Sequence, residues 1–377
     1  MNRNLSRIST AIVVLLLLTV FVIGVSGKSD AASAIKQASA SGEQYGGGEI
    51  SARSDSPMWM AATQPWTKEM MLAAEPYPME INEGEPALSV ELAEPLGKPG
   101  LIPSSAPERT ETYSMVEEDL EILSSAALLG YTYPPPYTRY RNFDSYDVFP
   151  YSTVGVIFFT QNGHNYRCSA ASIGEDAIWT AGHCIHSGDG TIEGWSENLV
   201  FVPAYEDGNA PFGAWTAYNV WTKGNWFTSA DLSYDMGGAQ LNTNGSGKMI
   251  SEVVGNLGFS YNLNNDQHWF DIGYPSESPF DGEWQIICSG SFAYNDTSYT
   301  PPPVAMGCDM TRGSSGGPWI RKFDGVAGSA NYLNGNNSYR YTSHPEEMFS
   351  PYFGEGAKTL YEQLLGITHN NLPLISK

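Results

Sequence analysis

The chain has 377 residues, a formal net charge of −22 and a hydrophobic fraction of 41%. That length allows one large domain or two modest ones, and the apolar fraction is enough for a real core. So acidic a chain repels phosphate backbones, which argues against nucleic acid as a partner.

Arg3 and Arg7 precede an uncharged apolar run over residues 11–25. The run is short for a membrane span and about right for the core of a signal peptide. Ala32 and Ala34 form a small-x-small cleavage pattern, so residues 1–34 read as a signal peptide and the rest as secreted. An uncleaved anchor is the alternative reading; either way the remaining chain is exported.

Residues 28–141 are rich in Ala, Ser, Glu and Pro, with seventeen acidic residues against eight basic ones, and strong periodicity is scarce. Residues 104–129 have some helical character, most of it over 115–129. Pro134-Pro135-Pro136 then reads as part of a stiff, extended connector. Residues 35–141 are therefore expected to be a propeptide or linker, largely disordered, ahead of a folded domain at 142–377.

After Tyr146 short apolar runs recur at strand length: 154–160, 177–181, 199–203, 215–221, 237–241 and 284–288. Turn signals such as Asn162-Gly163, Asp189-Gly190 and Asp281-Gly282 lie between them. Near the end, Ala357, Leu360, Tyr361 and Leu364 share one helical face. Many strands and one terminal helix predict an all-β antiparallel barrel or sandwich.

The four cysteines, Cys168, Cys184, Cys288 and Cys308, are an even count in an exported chain and predict two disulfides. There is no CxxC pair and no His/Cys cluster with metal-ligand spacing, so neither a metal nor another cofactor is expected.

Hydrolysing a peptide bond at neutral pH takes a nucleophile, a base for its proton, and donors for the oxyanion. Trp179-Thr180-Ala181-Gly182-His183-Cys184 resembles the histidine motif of the trypsin/chymotrypsin family. Arg312-Gly313-Ser314-Ser315-Gly316-Gly317-Pro318 resembles its nucleophile motif, and Tyr234-Asp235-Met236-Gly237-Gly238-Ala239-Gln240-Leu241 resembles its aspartate strand. The order His, Asp, Ser separates this arrangement from the subtilisin and α/β-hydrolase orders. The resemblance is strongest with the bacterial and fungal branch that includes the glutamyl endopeptidases, through Gly273-Tyr274-Pro275, Ser350-Pro351-Tyr352-Phe353 and Cys308. It runs from about Tyr151 to the C-terminus and covers none of the N-terminal region.

The resemblance implies a chymotrypsin-like double barrel, two antiparallel six-stranded β-barrels with a C-terminal helix, preceded by a largely irregular N-terminal region. It implies that Ser315 attacks the scissile carbonyl, His183 acts as base and then acid, and Asp235 orients His183. The N–H groups of Gly313 and Ser315 would form the oxyanion hole. It also implies the disulfides Cys168–Cys184 and Cys288–Cys308. The expected partners are protein or peptide substrates, without nucleic acid and without stable membrane association once the leader is cut, and the chain is expected to be a monomer. A catalytically silent protease-fold binding protein or adhesin is the competing reading.

Two departures from the family pattern matter. Ser314 stands where animal trypsins carry the aspartate that receives a new N-terminal ammonium, so activation is expected to work differently, with removal of residues up to about Arg141 uncovering the cleft. Asp309, six residues before Ser315, occupies the position of the carboxylate that binds Lys or Arg in trypsin-like enzymes. It is the candidate substrate-binding residue, although an Asp beside this cysteine also has a structural reading. Glutamyl specificity would want a histidine after the nucleophile, and residues 326–339 contain none.

Overall fold

A computed structural model describes residues 48–53, 66–78, 80–82, 84–92, 94–107, 136–325 and 330–367. The expected leader at 1–34 and the helical character at 115–129 lie outside these residues.

The region expected to be irregular contributes regular elements wherever it is described. They are β1 (Glu49–Arg53), α1 (Lys68–Ala73), β2 (Glu75–Pro76), β3 (Glu80–Asn82), β4 (Leu88–Ser89), β5 (Gly100–Ile102) and β6 (Tyr137–Arg141). Each strand has five residues or fewer, too short to bury a face of its own. They form because longer strands of the following domain offer unpaired edges, and an edge is a template for any extended segment that reaches it. The expectation of a largely irregular region is corrected to that extent. The connector over 137–140 is extended as expected, but it is extended as a strand of a sheet.

The following six strands are β7 (Val154–Gln161), β8 (His164–Ser172), β9 (Ala177–Thr180), β10 (Glu197–Pro203), β11 (Trp215–Lys223) and β12 (Gly237–Leu241). They pair in the order β11-β10-β7-β8-β9-β12, and β12 returns to β11, which closes a six-stranded barrel. The predicted Asn162-Gly163 turn joins β7 to β8, whose register runs from Gln161 opposite His164 to Val154 opposite Ala171. β1 adds to β11 and β2 adds to β8.

The second sheet holds β13 (Gly258–Tyr261), β14 (His268–Gly273), β15 (Ile286–Asp296), β16 (Val304–Gly307), β17 (Pro318–Arg321), β18 (Tyr332–Asn336), β19 (Tyr339–Tyr341) and β20 (His344–Ser350). Its order is β3-β19-β20-β16-β15-β14-β17-β18-β13-β5, with β4 and β6 also on β15. The second six-stranded barrel implied by the resemblance does not close. Both ends of this sheet are strands from the N-terminal region, β3 and β5, and these pair with β19 and β13 instead of with each other.

Three further helices follow: α2 (Gly224–Ser229), α3 (Ile250–Val254) and α4 (Glu355–Leu364). In α4, the predicted face of Ala357, Leu360, Tyr361 and Leu364 is the buried one. Tyr361 stacks on Phe259 at 4.1 Å, so the terminal helix is held by the core that lies between the two sheets. No helix among the described residues is long and apolar enough to cross a membrane.

Candidate active site

His183 lies in a tight turn just after β9. Gly182 O accepts from the N–H groups of Ile185 and His186, at 2.9 and 2.8 Å, so the turn is fixed by its own backbone. The Cys168–Cys184 disulfide ties the turn to β8, and the second pair is Cys288–Cys308, as the resemblance implied. Asp235 lies just before β12, the ring neighbour of β9. The side chains of both residues therefore converge from adjacent barrel strands.

They meet at hydrogen-bonding distance. Asp235 Oδ2 is 2.8 Å from His183 Nδ1, and Asp235 Oδ1 accepts the His183 backbone N–H at 2.8 Å. Ser338, from the second sheet, donates its hydroxyl to Asp235 Oδ2 at 2.5 Å. Asp235 is 0% exposed, and an ionised carboxylate so deeply buried is stable only with partners of this kind. With Nδ1–H donating to Asp235, the neutral ring carries its lone pair on Nε2, which is the tautomer a base needs.

Ser315 lies in the turn between β16 and β17. Its carbonyl accepts from Ser169 N–H at 2.8 Å and lies 3.9 Å from Cys184 Sγ, so the turn is seated against the His183 segment. Ser315 Oγ is buried and makes no hydrogen bond within the described residues. Buried polar groups are nearly always paired, and an orphaned one is a candidate for chemistry. Catalytic hydrogen bonds are also often loose until substrate arrives.

The glycines around Ser315 are required by space and by backbone. Gly313 has φ +94°, and a Cβ there would come within 2.3 Å of Ser276 Oγ. Gly316 has φ +79°, and a Cβ there would meet Thr180 Oγ1 at 2.0 Å. Positive φ costs glycine little and other residues considerably more. The N–H groups of Gly313 and Ser315 donate no hydrogen bond within the described residues, whereas the neighbouring Ser314, Gly316 and Gly317 N–H groups all donate.

Behind the turn stands a residue that the sequence reading did not single out. Asn337 is 0% exposed; its N–H donates to Gly317 O, and its carbonyl accepts from Gly316 N–H. Its side-chain Nδ2 donates to Ser314 O at 3.2 Å and to Asp271 Oδ1 at 2.9 Å. Burial pushes the Asp271 carboxyl well above its usual range. The signal was present as Asn336-Asn337-Ser338, a polar triplet at the end of a buried strand, but nothing in its spacing tells such a triplet from a surface turn.

Asp309 is engaged rather than open. Arg139 Nη1 of β6 forms an ion pair with its Oδ2. Burial, together with Asp309 nearby, raises the neighbouring Tyr137 phenol to about 12. The N-terminal region also reaches His183 itself. The Tyr77 ring stacks on His183 with centroids 5.3 Å apart and an interplanar angle of 21°.

No protein-family model matches the sequence. An "Extracellular metalloprotease" of Bacillus subtilis (strain 168) is 25% identical over 237 residues, which are 59% of this chain and 67% of that protein. The crystal structure of protease Anisep from Arthrobacter nicotinovorans is 36% identical, with a TM-score of 0.52, covering 57% of this chain and 96% of that one. The thermostable serine protease AL20 from an extremophilic microorganism is 33% identical, also with a TM-score of 0.52, covering 58% of this chain and 98% of that one.

Proposed function

The chain belongs to the chymotrypsin-like serine protease family, and from that premise we propose that it is a secreted serine endopeptidase with Ser315, His183 and Asp235 as its triad. The observation that carries the reading is the pair of hydrogen bonds by which Asp235 holds both the ring and the backbone of His183. That arrangement has no evident structural purpose, since a buried carboxylate and imidazole cost more to place than apolar residues would.

The chemistry follows from the geometry. His183 Nε2 takes the proton of Ser315 Oγ as that oxygen attacks the scissile carbonyl, and Asp235 stabilises the imidazolium that results. The free N–H groups of Gly313 and Ser315 receive the developing oxyanion. His183 then protonates the leaving amine, and water releases the acyl group from Ser315. The leader at 1–34 and the acidic region at 35–141 make the chain a pre-pro-protein in this reading. The two disulfides and the extracellular relative in Bacillus subtilis support export.

That relative is named a metalloprotease, but the donor groups among the described residues here do not fit a metal. Two groups of potential donors gather, Cys168 with His183 and Cys184, and Asp271 with Cys288 and Cys308. In both, the sulfurs are bonded to each other as disulfides and offer no thiolate, and His183 Nδ1 is already held by Asp235.

Asp309 is the proposed specificity residue for a Lys or Arg side chain, and it becomes available once Arg139 is withdrawn. The test of the main reading is labelling of the processed, secreted protein by a fluorophosphonate, alongside its hydrolysis of a peptide panel varied before the cut. Labelling lost in Ser315→Ala supports the enzyme; a processed wild type that neither labels nor cleaves indicates a silent binding protein.

A further inference from the structure

A peptide cut at Ser315 must lie extended past His183, and extended peptides dock most readily by adding a strand to an exposed edge. Two edges flank the site. One is β8 at Tyr166 and Arg167, immediately before Cys168, whose disulfide partner adjoins His183. The other is β19 at Tyr339–Tyr341, immediately after Ser338, which holds Asp235.

Both edges are already occupied by the chain's own N-terminal region. β2 pairs with β8, Glu75 opposite Tyr166 and Pro76 opposite Arg167. β3 pairs with β19, Glu80 to Asn82 opposite Tyr339 to Tyr341. Between the two lies Tyr77, stacked on the His183 ring. Its N–H donates to Arg167 O at 3.0 Å and its hydroxyl donates to Gln161 Oε1 at 2.6 Å. Gln161 in turn donates Nε2 to His183 O at 3.4 Å, so the ring and its hydroxyl both bear on the same turn. His183 is 1% exposed and Ser315 0%, which is no state in which to receive a polypeptide.

Resting on the serine endopeptidase reading above, we propose that residues 66–78, together with β3, form an intramolecular latch on the peptide-binding cleft, with the Tyr77 ring as the cover over His183. Its construction matches that role. Upstream, the latch is firmly anchored: Trp66 packs on Phe158 at 5.5 Å and donates Nε1 to Asn198 O at 2.9 Å, while Met71 and Ala74 are buried in the barrel core. Over the site itself the holding contacts are those of the Tyr77 ring, with His183, Tyr166 and Phe159, while the backbone contributes little. Pro76 and Pro78 lack backbone donors and favour an extended chain, so the Tyr77 N–H is the sole backbone donor of that tripeptide. The edge pairings involve only two and three residues and are parallel, which is the weaker arrangement per residue.

The experiment uses the full chain and reads its rate of fluorophosphonate labelling. Tyr77→Ala removes the cover and is expected to label about tenfold faster than wild type, the scale of one aromatic stack. Adding Ser315→Ala to that variant should abolish labelling. A synthetic peptide spanning residues 66–82, added in trans, should slow the Tyr77→Ala chain again, which also shows that the variant is folded; the same peptide carrying Tyr77→Ala should not. Equal rapid labelling of wild type and Tyr77→Ala, lost in Ser315→Ala, would overturn the latch and leave the protease standing. A Tyr77→Ala chain that labels faster but is not slowed by the peptide would also overturn it. Absence of labelling in every form, including chain nicked by limited proteolysis, would remove the protease reading and the latch together.

Discussion

The first sheet closes on itself through β11 and β12, while the second ends on β3 and β5, strands that the N-terminal region supplies. The ring closes through its own six strands and takes β1 and β2 only as additions to β11 and β8, whereas the open sheet presents unpaired backbone at both ends. The two halves of the candidate site inherit this difference. His183 and Asp235 sit on neighbouring strands of the ring, while Ser315 sits on a turn of the open sheet. The hydrogen bonds that hold the ring's pair come from residues after 142, but the edges of the open sheet are finished by segments that the proposed processing removes. In the proposed precursor, covering the cleft and holding the open sheet would suffice without distortion of the His–Asp pair.

The largest effect should come from breaking the pair held on the ring. Asp235→Asn keeps the shape but leaves His183 Nδ1 without its charged acceptor and favours the wrong tautomer. In the processed protein kcat should fall about 10⁴-fold, with little loss of stability beyond the single substitution. Steady-state kinetics on a peptide substrate checks this, and a loss below about tenfold would mean that Asp235 is not the orienting carboxylate.

The two disulfides sharpen the comparison at a smaller scale. Cys168 and Cys184 are 16 residues apart, Cys288 and Cys308 20 apart, so chain entropy alone predicts about 3 kcal/mol for each. The Cys288–Cys308 staple closes the longer of the two loops. Replacing Cys288 and Cys308 with alanine should therefore lower stability at least as much as replacing Cys168 and Cys184, as read from urea midpoints. A clearly smaller loss for the Cys288–Cys308 pair would mean that the open sheet does not depend on its staple.

Much of the ring was legible because its strands bury most of their residues and are separated by turn residues. The run at 237–241 was bounded correctly, and 154–160 fell one residue short of β7. The open sheet was harder to read. The run at 284–288 caught only the start of β15, whose later half carries Ser291 and exposed or half-buried aromatics such as Phe292 and Tyr294. β1 to β6 had no readable period because their conformation comes from the edges they join, and an edge is a property of the partner strand. The motif residues His183, Asp235 and Ser315 could be singled out as candidates from sequence, since each stands in a local pattern. Tyr77, Asn337 and Ser338 could not, because their roles come from contacts distant in sequence: Tyr77 to Gln161 spans 84, Ser338 to Asp235 spans 103, and Asn337 to Asp271 spans 66.

Ser338 links the open sheet to the carboxylate of the ring, since its hydroxyl donates to Asp235 Oδ2. A hydrogen bond to a charged acceptor contributes about 1.5–3 kcal/mol. Ser338→Ala should lower kcat in the processed protein by roughly tenfold to a hundredfold with KM little changed, and Ser338→Thr should restore much of it. A change confined to KM would place Ser338 in substrate binding instead.

The smallest effect separates the sheets by pH. His186, in the ring, is fully buried, with Nε2 donating to Thr191 O at 2.7 Å and Nδ1 accepting from Gly188 N–H at 2.9 Å, so both nitrogens are committed to the neutral form. Burial pulls its pKa below the ordinary 6.5, against smaller opposing effects of the Thr191 carbonyl and the nearby Asp189 carboxylate. The unfolded chain then binds more protons than the folded one between the lowered value and 6.5, so stability is complete above about 6.5 and declines as pH falls through that window. Asp271, in the open sheet, has the opposite sign. Burial raises its carboxyl above 3.8, so the folded chain holds the extra proton, and that contribution is lost as pH rises from 3.8 through the raised value. Thermal unfolding measured across pH should therefore show a flatter acid limb in His186→Asn. Asp271→Asn, which still offers an oxygen to Asn337 Nδ2, should gain stability relative to wild type as pH rises toward neutrality. If either substitution leaves the pH profile parallel to wild type, that group does not titrate differently on folding, and the electrostatic contrast between the closed and open sheets fails on that side.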